Sequence, residues 1–129
     1  MAKFCSTVVT AGAATIIRDR VSRIVLGDDT VADTATHAET TANNMIATTT
    51  MSDAQMTLED SSVSGKKLTI SAQATLTVET TKVAAYVYLI SSGATGTIYY
   101  RTSCATRAFT STADRVTIPE WDIHFYDAT

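Results

Sequence analysis

The sequence predicts a mainly β fold: an antiparallel β-sandwich or barrel of about seven strands with a short N-terminal helix. Threonine and alanine supply 44 of the 129 residues, 25 and 19 copies respectively, and β-branched threonine suits a pleated sheet. Residues 68–78 alternate between apolar or small and polar side chains, which is the period of a strand with one buried face. Short apolar segments also recur between turn-like residues from position 45 onward, as in all-β domains.

The N-terminal part predicts one helix and one strand. Thr10 is the expected cap of a helix over residues 10–20. A mostly apolar stripe is expected at Ala13, Ile16, Ile17, Arg20 and Val21. Residues 21–26 then predict a strand that stops at the Gly27 turn, and residues 28–44 predict a long polar surface loop. Polar residues interrupt the first apolar segment, so we expect it to belong to the mature domain rather than to a signal peptide.

The middle of the chain predicts strands at 46–51, 55–59 and 68–78. Turn-like residues at 52–54 and 61–65 separate them. In the strand at 68–78, threonine is expected to face outward and alanine to fill small inward positions. The strand is expected to be antiparallel, because parallel strands are usually buried on both sides.

The C-terminal third predicts a hairpin and a long last strand. Residues 83–90 are apolar on both faces, so we expect either burial on both faces or contact with another subunit. After a turn at 91–96, residues 97–102 are the predicted hairpin partner, and 104–110 predict a further short strand. A turn at 111–114 leads to a strand over 115–126, in which Pro119 predicts a bulge at a sheet edge.

Size and charge limit the classes of function. We expect one domain over residues 1–129, with the helix, first strand and polar loop in 1–44 and the β core in 45–129. With 45% hydrophobic residues and a net charge of −3, the chain is expected to fold. Its lysines and arginines are scattered, and no apolar run reaches the length of a membrane helix. We therefore expect neither nucleic acid nor a membrane among its partners.

The cysteines and acidic residues predict neither a metal site nor a cofactor. Cys5 and Cys104 lie too far apart in sequence for a zinc motif. Two free thiols are favoured for them, with a disulfide left open. The polar loop holds several potential oxygen ligands, but their spacing matches no calcium motif. The oxygens would come from Asp28, Asp29, Asp33 and Glu39, which lie near His37 in the sequence.

Candidate catalytic residues are few, and we expect a non-enzymatic protein. Asp122, His124 and Tyr126 would share the outward face of the last strand, where a carboxylate can orient an imidazole. An exposed polar face is the favoured interpretation, and a Cys104–His124 pair has no support in the local sequence. No catalytic, cofactor-binding or metal-binding residue is therefore predicted.

Five tyrosines allow more than one interpretation. They are expected either to pack across the hairpin, Tyr86 and Tyr88 against Tyr99 and Tyr100, or to line an oligomer interface. Stacking on a ligand is a weaker alternative for this group, which also includes Tyr126.

The order of elements resembles small virion structural proteins of tailed bacteriophages. The resemblance rests on three segments, which are Arg-Ile-Val-Leu-Gly-Asp-Asp at 23–29, Gly-Ala-Thr-Gly-Thr-Ile-Tyr at 93–99 and Ala-Asp-Arg-Val-Thr-Ile-Pro-Glu-Trp-Asp-Ile at 113–123. It covers the last 65 or so residues better than the first 60, and its motifs encode turns and strands rather than chemistry.

This resemblance implies a capsid decoration (cement) protein located in the virion. Its expected partners are the major capsid protein or another virion protein, and further copies of itself in a trimer or dimer. A tail or head-fibre component is an alternative within the same class. Two alternatives from other classes stay open. One is an extracellular adhesin or carbohydrate-binding module, with exposed aromatic side chains on one face. The other is a small enzyme on a β-barrel, with a cleft that brings His124 or His37 near a carboxylate.

Overall fold

The computed structural model describes residues 7–28, 45–60, 65–91 and 97–125. Within these ranges the chain forms one α-helix, one short 3₁₀ helix (Asp53–Gln55) and nine strands in two antiparallel sheets, so the mainly β fold class is confirmed. The elements are α1 (Thr7–Arg20), β1 (Arg23–Gly27), β2 (Met45–Thr50), β3 (Met56–Asp60), β4 (Lys66–Ile70), β5 (Gln73–Val78), β6 (Val83–Ile90), β7 (Ile98–Ala108), β8 (Val116–Ile118) and β9 (Trp121–Phe125).

The larger sheet has six strands in the order β7-β6-β1-β2-β5-β8, and the smaller has three in the order β3-β4-β9. The larger sheet curls into a half-barrel. One core lies between the layers and contains apolar residues from both sheets and from α1. β1 lies at the centre of the larger sheet, between β6 and β2, so a strand from the N-terminal third helps to build the β core.

The helix begins three residues before the predicted start, and Thr10 lies inside it rather than at its cap. It packs on β3, β4 and β9. Ala14 and Ile17 of the helix are buried, as is Val21 just after it, whereas Ile16 and Arg20, which the helical pattern had placed inward, are exposed, Ile16 by 55%. At 14 residues, α1 is too short to cross a bilayer, and the described residues hold no helix long and apolar enough to do so.

The predicted strand over 68–78 is wrong as a single element, because the chain turns a corner at Ser71 and Ala72 and changes sheets. The corner has a hydrogen-bonding cause. Ser71 N–H donates to the Gln55 carbonyl over 2.9 Å, and the buried Gln73 amide donates to the Ser71 carbonyl over 2.9 Å. The Gln55 amide in turn donates to Gln73 Oε1 over 3.1 Å. Ala72, predicted to face inward, is exposed.

The predicted last strand divides in the same way. β8 belongs to the larger sheet and β9 to the smaller one, and Pro119 and Glu120 form the corner between them. Pro119 therefore marks a change of sheet rather than the predicted bulge. Pro119 follows β8, which is an edge strand of the six-stranded sheet. This agrees with the predicted edge position, because proline has no N–H to donate to a neighbouring strand.

The two corners lie side by side. β4 pairs with β9, with Ile70 opposite Trp121, and β5 pairs with β8, with Gln73 opposite Ile118. A single bent two-stranded ribbon therefore passes from one sheet to the other, which is a known way to join packed β layers. Each division adds one strand to those predicted and a merger in the hairpin removes one, so the structure has nine strands where the sequence predicted about seven.

The remaining differences are at the hairpin. β6 matches its prediction, but the two strands predicted at 97–102 and 104–110 form the single strand β7. β7 pairs with β6 across two irregular positions, which absorb extra residues on the β7 side. The turn at 111–114 is confirmed by the Asp114 N–H bond to the Ser111 carbonyl at 3.1 Å. The polar loop beyond Asp28 and most of the turns at 61–65 and 91–96 lie outside the described residues.

Candidate functional site

An apolar groove lies between the two edge strands of the larger sheet. Its walls are β7 on one side and β8 with the following corner on the other. Val87, Cys104, Ile118 and Pro119 line it throughout, and its wider part has a volume of about 340 Å³. This is near the lower end of the range for ligand pockets, about 300–1,000 Å³, so it has space for a few aliphatic side chains.

Arg107 spans one end of the groove. Its guanidinium Nη2 donates a hydrogen bond to the Arg115 carbonyl, just before β8, over 3.1 Å. The same guanidinium lies 4.9 Å from the centre of the Phe109 ring, within cation–π distance. Arg107 therefore joins the two sheet edges through a side chain at a place where no backbone ladder joins them within the described residues.

An aromatic pair marks the other end. Tyr100 from β7 and Trp121 from β9 have ring centres 5.9 Å apart, with their planes inclined at 33°. Trp121 Nε1 is buried and has no acceptor within the described part of the chain. A buried donor without an acceptor costs on the order of 1–3 kcal/mol.

Cys104 lies on the wall of the groove. It is half-buried and packs against the main core, and burial raises the pKa of its thiol. A raised pKa favours the protonated thiol, which is a weaker nucleophile than the thiolate. This environment therefore suits packing rather than attack on a substrate. Cys5 lies outside the described residues. Two free thiols at Cys5 and Cys104 therefore remain a prediction from the sequence, with a disulfide between them still open.

The residues weighed as a catalytic group lie elsewhere. Asp122 and His124 are exposed on the outward face of β9, as predicted, and Tyr126 is outside the described residues. Asp122 accepts a hydrogen bond from Thr69 on β4 over 2.8 Å, and His124 lies opposite Lys67. His124 thus faces away from the core that Cys104 contacts, and the two do not form a thiol–imidazole pair.

The tyrosines do not pack across the hairpin in the predicted way. The register places Tyr88 opposite Arg101 and Tyr86 opposite Ser103. Tyr86 and Tyr88 instead contact each other along β6, with ring centres 6.3 Å apart. The Arg101 guanidinium lies 4.9 Å from the centre of the Tyr86 ring.

The face of the larger sheet that points away from the main core is buried at its centre. Val25, Tyr88 and Ile90 form a second cluster that is fully buried, so the expected burial of the strand 83–90 on both faces holds for its last residues. The Tyr88 hydroxyl donates to the Asp28 carbonyl over 2.8 Å. Burial, with the nearby Asp28 charge, raises the pKa of Tyr88 to about 12 against the opposing effect of Arg101.

Of the five residues considered for a cation site in the polar loop, only Asp28 has a described position. The other four lie outside the described ranges. Asp28 Oδ2 is 4.0 Å from Lys82 Nζ. Among the residues with described positions, no three histidine, cysteine or acidic side chains are grouped to hold a metal ion.

The groove itself was not predicted, although several of its residues were noted for other reasons. The sequence draws attention to Cys104, Pro119 and Trp121, but it gives no sign that Arg107 joins β7 to the start of β8. That contact depends on which strands end the larger sheet, and sheet order is not a local property of sequence. Comparison of the chain with protein-family models, with curated proteins and with solved structures finds no match.

Proposed function

We propose that this chain is a non-enzymatic structural subunit of a tailed-bacteriophage virion, and specifically a capsid decoration protein that binds the assembled shell. The observation that carries the proposal is the apolar groove between β7 and β8, which are the edge strands of the larger sheet in the part of the chain that the structure describes. Backbone edges and aliphatic side chains bind polypeptide, because they offer hydrogen bonds in a row and an apolar surface beneath them. The resemblance of residues 113–123 to small virion proteins supplies the biological setting.

The chemistry of the groove supports binding over catalysis. Its lining is mostly apolar, and its polar residues are Thr102, Ser103, Thr117, Arg107 and Cys104, whose thiol has a raised pKa. The described tyrosines favour the same choice over a carbohydrate-binding face, because none of the four is exposed. Flat sugar-stacking platforms need exposed rings.

The test is the composition of purified particles. Mass spectrometry of virions from a phage that encodes this chain should detect it in a fixed ratio to the major capsid protein. Purified chain added to particles that lack it should bind until the same ratio is reached, and light scattering should show whether it adds as a dimer or trimer. Absence of the chain from intact virions, or binding without saturation, would refute the proposal.

A further inference from the structure

We draw no further inference here: the strongest candidate, the apolar groove between β7 and β8, belongs to the site already described, and nothing in the part of the chain that the structure describes shows what covers it.

Discussion

The two sheets differ in how their surfaces are completed. The three-stranded sheet has α1 on one face, and two ion pairs join its edge strand β3 to β4. The six-stranded sheet is buried on both faces at its centre, and among the residues with described positions its edge strands β7 and β8 each pair with one strand and have a groove between them. The three-stranded sheet is thus covered by the helix and its edge strand β3 carries ion pairs, whereas the six-stranded sheet has an apolar groove between β7 and β8. We expect binding at this groove.

Truncation of matched isoleucines gives the largest contrast between these regions. Ile70 is fully buried under the helix-covered sheet, and Ile118 lines the groove. We expect Ile70→Ala to lower the free energy of unfolding by about 2–5 kcal/mol. Ile118→Ala should cost less, because one side of that residue already lacks packed neighbours. Urea denaturation of both variants checks this, and equal losses would contradict the distinction between closed and open regions.

Alkaline pH tests whether the centre of the larger sheet is closed on its outer side. The pKa of Tyr88 is about 12 in the fold, above its ordinary value near 10. The folded state therefore holds this proton more tightly than the unfolded state, and its stabilising effect is complete below pH 10 and is lost as pH rises through 12. Thermal unfolding from pH 9 to 12 should show a steeper loss for the parent than for Tyr88→Phe. Parallel curves would indicate that Tyr88 is not held in a buried site.

The side-chain bridge at the end of the groove gives the smallest effect. Arg107→Ala removes the hydrogen bond to the Arg115 carbonyl and the contact with Phe109, and we expect a loss of about 1 kcal/mol. Arg115→Ala is the matched control, because it removes a neighbouring cation but retains the carbonyl that accepts the bond. Hydrogen exchange at β8 should accelerate in Arg107→Ala only, and identical behaviour of the two variants would argue against the bridge.

Sequence pattern predicted the strands better than their arrangement. The alternation at 68–78 correctly assigned Leu68, Ile70, Leu76 and Val78 to buried positions, since a local period reports which side of the backbone is covered. It did not reveal the corner, because Ser71 and Ala72 are not strong breakers and the amide of Gln55 that stabilises the corner comes from another segment. Pro119 revealed the location of the second corner, but not that the chain changes sheets there.

The groove was harder to predict for the same reason. Its floor combines Leu26, Val87 and Ile118 from three separate strands, and it is a groove only because β7 and β8 end the order of the larger sheet. The tyrosine contacts also depended on a register that irregular positions in β7 displace. Long-range pairing and bulges are decided by the whole fold, so single-segment patterns could not supply them.

The bent ribbon that connects the sheets also bears on how the protein melts. Because β4 with β9 and β5 with β8 are continuous halves of one hairpin-like ladder, neither sheet can separate without breaking bonds that support the other. The fold should therefore lose both layers in one cooperative transition, with equal calorimetric and van't Hoff enthalpies. A protein with that property would remain wholly folded or unfold as a unit, with no partly unfolded form in between.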